Sequence, residues 1–96
     1  MIIGVLQLDF RLHGNDSLKG KRKIAQSLKQ KLRNKFNVSV AEVDAQDQLQ
    51  RLKLAVVTVA NETAPVESRL AKALALVEAI GAGELVHCET EVFSSD

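Results

Sequence analysis

Leu6-Gln7-Leu8-Asp9-Phe10-Arg11-Leu12-His13-Gly14-Asn15-Asp16-Ser17 is the stretch on which the fold turns. It opens on strict alternation, with Leu6, Leu8, Phe10 and Leu12 on one side and Gln7, Asp9 and Arg11 on the other. Strand side chains point alternately to two faces, so this period of two over residues 5–12 predicts a strand with one buried face. His13-Gly14-Asn15-Asp16 ends the alternation as a loop. Ser17 is placed to cap a helix, its hydroxyl accepting a hydrogen bond from a first-turn N–H. Beyond Ser17 the period lengthens. Ile24, Ala25, Leu28, Leu32 and Phe36 gather on one arc, roughly 120° wide at 100° per residue. A helix to about Lys35 follows, weakened at its start by Gly20.

Asn37 is expected to close that helix, and Val38 to Val43 to form a second strand. The polar run Asp44-Ala45-Gln46-Asp47-Gln48-Leu49-Gln50 reads as a surface connection. Leu52 to Ala60 is apolar on nearly both faces and is expected to be a central strand, with Leu54 and Val56 on one side and Val57 and Val59 on the other. Thr63 is expected to cap a second helix that carries Pro65 in its first turn. Val66, Leu70, Ala73, Leu74, Val77 and Ile80 repeat at helical spacing, and Gly81-Ala82-Gly83 stops the helix. In the last strand Val86, Cys88, Thr90 and Val92 are expected to face inward and His87, Glu89 and Glu91 outward. The order βαββαβ, with right-handed crossovers, predicts an α+β ferredoxin-like sandwich: a four-stranded antiparallel sheet with both helices on one face. Residues 1–96 form a single domain in this reading.

Composition narrows the function. The chain has 96 residues and is 46% hydrophobic, enough for a core without metals or disulfides. A single cysteine, Cys88, excludes an internal disulfide and fits a reducing compartment. With only His13 and His87 besides, a zinc cluster is not expected. No signal sequence or membrane span is legible, so a cytoplasmic location and no membrane partner are expected. The formal net charge is +1, yet charge is segregated. Lys19, Lys21, Arg22, Lys23, Lys29, Lys31, Arg33 and Lys35 fall between Ser17 and Ala41 with no acid among them.

Ser17-Leu18-Lys19-Gly20-Lys21-Arg22, followed by Asn37-Val38-Ser39-Val40-Ala41-Glu42-Val43, resembles the YlxP-like family of small bacterial proteins, a domain of unknown function. The resemblance covers nearly the whole chain. Asp44, Asp47, Gln50 and Arg51 match the family's loop pattern before the third strand. Gly20 stands where an acidic residue is usual, and Gln48-Leu49 replaces a Leu-Trp pair. The resemblance implies a ferredoxin-like fold and no established activity. Genes of the family often neighbour those of translation and ribosome-maturation factors, an association pointing to RNA.

On the first helix, Lys19, Arg22, Lys23, Lys29 and Arg33 cluster opposite the apolar arc, with Lys31 and Lys35 flanking it. Such an arc can track phosphates, since each neutralised phosphate releases counterions. A solvated helix face is the plainer reading. No aromatic platform for base stacking is expected, because Phe10 and Phe36 read as core. Asp44, Asp47, Gln50 and Arg51 are the candidate loop site. The two carboxylates are read as turn formers, with Arg51 able to pair with either, and not as metal ligands. His87, Glu89 and Glu91 form a row along one strand rather than a converging cage. An acylphosphatase-like phosphate cradle is rejected, because His13-Gly14-Asn15-Asp16 lacks the glycine pattern and carries an acid. No catalytic residue, metal or cofactor is expected. The favoured reading is a non-enzymatic accessory protein of RNA or the ribosome; the alternative is a homodimeric module paired through the open sheet face.

Overall fold

The alternation read in the first strand is realised as burial. Leu6, Leu8 and Phe10 are within 2% of full burial, while Gln7 and Arg11 are exposed. The computed structural model describes Met1–Asp96 as β1 (Ile2–Arg11), α1 (Leu18–Lys35), β2 (Ser39–Glu42), β3 (Arg51–Ala60), α2 (Thr63–Ile80) and β4 (Glu84–Ser94). All pairings are antiparallel, and the strand order is β2-β3-β1-β4. This is the ferredoxin-like βαββαβ arrangement. α1 carries the chain past β3 to β2, and α2 carries it past β1 to β4, so β1 and β3 lie at the centre.

One core of fifteen buried apolar residues draws on both helices and on β1, β2 and β3. α1 contributes Ala25, Leu28 and Leu32; α2 contributes Val66, Leu70, Ala73 and Val77. Gly4 lets α2 approach β1, since a Cβ there would overlap Val66 and Leu70. β4 contributes no fully buried residue.

Several boundaries differ from the sequence reading. Ser17 does cap α1, accepting from the Gly20 N–H at 3.0 Å. At the other end Phe36, not Asn37, closes the helix in an extended conformation, its N–H bonding the Leu32 carbonyl. α2 is capped by Glu62 with no side-chain hydrogen bond, and Thr63 is already helical. Gly81 ends α2 at φ 63°, the left-handed region that suits glycine. β2 is shorter than expected, Ser39–Glu42.

The largest correction concerns β4. Cys88 was expected in the core and is exposed. It does share the helix-side face, opposite Leu8. However, β4 is an edge strand and neither helix reaches over that position. Val86 is also outside the core, 46% exposed. A bulge between Asp9 and Phe10 sets Leu85 opposite Phe10 and leaves Val86 as the extra residue. His87 and Glu89 do face outward, 3.4 Å apart.

Lys21 is the one charged side chain within the core boundary, 1% exposed. It occupies the buried stripe of α1, one turn before Ala25. Its ammonium donates to the carbonyls of Ala45 at 2.6 Å and Gln48 at 2.8 Å. Glu42 at the end of β2 lies 3.2 Å away. An ammonium has three N–H donors and these acceptors match them. Asp44 and Ala45 adopt positive φ, 55° and 51°, which turns the chain so that both carbonyls face inward. Lys21 therefore pins α1, β2 and the connection to β3 together.

Two predictions follow from this arrangement. Lys21→Met removes the donors and leaves Glu42 and two carbonyls unpaired, so it should destabilise the fold by about 2–4 kcal/mol in urea titration. A loss below about 1 kcal/mol would show that the clamp is dispensable. Cys88 should react with a thiol reagent at similar rates in native buffer and in denaturant; strong native protection would return it to the core.

Candidate nucleic-acid interface and sheet-end cleft

The five cations assigned to the outer arc of α1 do not share one environment. Lys19, Arg22 and Lys23 are exposed. None of the three has an acid within ion-pair distance; the chain's ion pairs lie elsewhere. Lys29 is half-buried. Arg33 is exposed, but its Nη2 donates to the Val40 carbonyl at 2.8 Å, so it ties α1 to β2. Lys31 and Lys35 are exposed and unpaired at the side of the arc. Gln26, Ser27, Gln30 and Asn34 lie between Lys23 and Lys31 in a shallow groove with no hydrophobic residue in its lining. The helix thus offers a run of free cations interleaved with amides. Lys21 belongs to the fold and not to this surface. The signal for that was its position on the apolar stripe, four residues before Ala25.

The loop residues are dispersed. Asp44 accepts a hydrogen bond from the Ala45 N–H at 2.9 Å and lies 3.7 Å from Lys53. Asp47 is exposed and pairs with nothing. Arg51 turns away from both acids. It pairs with Asp9 on β1, Nη2 to Oδ2 at 2.6 Å and Nε to Oδ1 at 3.3 Å. The expected pairing of Arg51 with Asp44 or Asp47 is therefore replaced by a cross-strand one. Sheet register explains it: Asp9 and Arg51 lie on the same open face of adjacent strands, one row apart diagonally. No three His, Cys, Asp or Glu side chains gather in metal-binding geometry.

The structure brings Gln50 and Arg51 of that loop, without Asp44 and Asp47, into a cleft whose other residues the sequence did not group with them. At the end of β1 and β3, Arg11 and Arg51 stand as direct cross-strand partners. Asn15 spans from the β1–α1 loop to the β2–β3 connection, its amide donating to the carbonyls of Ser17 at 3.0 Å and Leu49 at 2.5 Å. Leu12 supports the same junction by donating its N–H to the Gln50 carbonyl at 2.9 Å. Gly20 leaves room for this bridge, because a Cβ there would press on the Asn15 side-chain oxygen and displace it. The cleft is open to solvent and measures about 800 Å³, bounded also by Asp16, Gln48, Leu49, Gln50 and Val86.

The open sheet face is graded along the strands. At one end Phe93, Ile3 and Val59 stand in a row, with Val5 and Val57 next. Phe93 is 41% and Val59 49% exposed. At the other end the row is His87, Asp9 and Lys53.

Comparisons with known proteins identify the family and the fold. The family model described as "Protein of unknown function (DUF503)" matches residues 3–90. The uncharacterized protein YlxP of Bacillus subtilis (strain 168) is 29% identical over 92 residues, covering 96% of this chain and all of that protein. Among solved structures, a variant of SnoaB, a cofactor-independent oxygenase from Streptomyces nogalater, superposes with a TM-score of 0.56 at 13% identity. That likeness covers 98% of this chain and 92% of SnoaB and shows the fold alone. The de novo designed protein Ferredog-Diesel aligns over 96% of this chain and 84% of its own, with a TM-score of 0.45 and 11% identity. With its helix-start and loop motifs lying inside the matched span, the chain belongs to the DUF503 family and resembles YlxP over nearly its whole length.

Proposed function

We propose that the protein is a non-enzymatic accessory protein of the cytoplasm that binds RNA, as part of the ribosome or its assembly, through α1. The observation that carries this reading is the free charge on α1: Lys19, Arg22, Lys23, Lys31 and Lys35 are exposed and lack acidic partners. Surface cations not needed for folding cost repulsion with one another unless a polyanion neutralises them. The amides between them supply neutral donors to phosphate and ribose. Without an exposed aromatic on this helix, recognition is of backbone and shape and not of base identity.

A second reading, a homodimer paired through the open sheet face, is favoured by the row Phe93–Ile3–Val59. It predicts a dimer in sedimentation that Val59→Asp converts to monomer.

The RNA reading is tested by salt. Three phosphates met by Lys19, Arg22 and Lys23 predict a log–log slope of affinity against salt of about −2 to −3. Arg22→Gln or Lys23→Gln should each reduce that slope by about one unit, equally for different RNA sequences. Lys72→Gln, on the exposed side of α2, is the control and should leave the slope unchanged. Equal losses from Lys72→Gln and Arg22→Gln would show generic attraction and defeat the assignment to α1.

A further inference from the structure

The sheet-end cleft holds one free cation and one free carboxylate that the fold does not use. Arg11 and Arg51 face each other across β1 and β3, a placement that is unfavourable for like charges; Glu84 stands opposite Arg11 on β4 but is engaged by His13 at 2.8 Å and makes no ion pair with Arg11. Asp9 neutralises Arg51 alone, engaging its Nε and Nη2. A guanidinium has five N–H donors, so Arg51 keeps unused ones in an orientation that Asp9 sets. Arg11 makes no hydrogen bond or ion pair. Asp16, on the same cleft, has no ion pair either. Leu49 and Val86 remain 37% and 46% exposed and supply the apolar part of the lining. The side-chain amides of Gln48 and Gln50 are unengaged within the chain. At about 800 Å³ the space is of small-molecule size.

This set of groups discriminates among ligands. A bare dianion such as inorganic phosphate meets one uncompensated cation and is repelled by Asp16. A diol-bearing phosphate ester turns Asp16 from a liability into an acceptor, because ribose hydroxyls donate to it. A flat ring attached to that sugar covers Leu49 and Val86, and its polar edge meets the Gln amides. We infer that the cleft is a ribonucleotide site. The phosphate lies on Arg11 and the free edge of Arg51, the ribose hydroxyls on Asp16, and the base against Leu49 and Val86. A free nucleoside monophosphate and the 5′ end of an RNA strand present this same group. The site uses no residue of α1, so it stands independently of phosphate tracking by that helix.

The test is titration of isotope-labelled protein followed by amide chemical shifts. The probes are the four ribonucleoside 5′-monophosphates, 2′-deoxyAMP, adenosine, inorganic phosphate, and a short RNA with and without a 5′ phosphate. Ribonucleotides should move the amides of Arg11, Asp16, Gln48 to Arg51 and Val86. Adenosine and inorganic phosphate should each bind about 10-fold more weakly or worse, as expected for loss of a charge-assisted hydrogen bond. Arg11→Gln, which removes no contact of the fold, should cost about 10-fold in affinity. Asp16→Asn should erase the preference for AMP over 2′-deoxyAMP. A 5′-phosphorylated RNA that binds more tightly than AMP assigns the site to strand ends; equal binding assigns it to free nucleotides. Inorganic phosphate binding as well as AMP, unchanged affinity in Arg11→Gln, or no shifts with any nucleotide would each overturn the site. Retention of the α1 salt slope in Arg11→Gln separates this outcome from failure of the RNA reading.

Discussion

The buried ammonium of Lys21 is the interaction on which the rest of the architecture leans. An ionised group removed from water is costly unless its hydrogen-bonding capacity is met. Here it is met by two carbonyls of the β2–β3 connection and by Glu42 at the end of β2. A flexible seven-residue polar loop is thereby given one conformation, including positive φ at Asp44 and Ala45. That conformation sets where Gln48, Leu49 and Gln50 sit, and Asn15 and Leu12 then fasten them to the β1–α1 loop. The cleft at the end of the sheet is a consequence of a lysine that does not itself line it.

A second constraint is coverage. Two helices cannot roof four strands evenly: α1 packs on β2 and β3, whereas α2 packs chiefly on β1 and β3 and reaches β4 only in part. β4 is left as an eleven-residue edge strand with only Leu85 and Val92 half-buried. The other edge, β2, is four residues long and has the Val40 carbonyl bonded by Arg33. The two edges are therefore managed differently. β2 is short and tied down, whereas β4 carries acids and a bulge, both devices that discourage strand addition.

Charge is divided among three places by the fold. Lys21 and Arg33 are spent on tertiary contacts, Arg51 and Lys53 on partners across the open face, and the exposed cations of α1 on nothing within the chain. The acid-free run in the sequence therefore overstates the free charge. What remains is a surface whose attraction for polyanions does not compete with internal ion pairs, and a separate cleft whose net charge is close to balanced.

The sequence alone determined the order of elements, the faces of the strands and helices, and the two-layer plan. Period two in Leu6 to Leu12 and helical spacing in Ile24 to Phe36 and Val66 to Ile80 report which side of an element is apolar, and that is a local property. Only the tertiary structure decided what covers each side. Cys88 has the face its alternation implies, yet it stays exposed because helix coverage of β4 leaves that position open. Lys21 is polar by type and buried because three acceptors converge on its position. Arg51 chose Asp9, 42 positions away, over two nearer acids because sheet register placed the pair side by side. The cleft joins Arg11, Asp16, Leu49 and Val86 from separate segments. Periodicity tells a residue which way to point; the neighbour waiting there is set by strand register, helix reach and one bulge, none of which is written in local spacing.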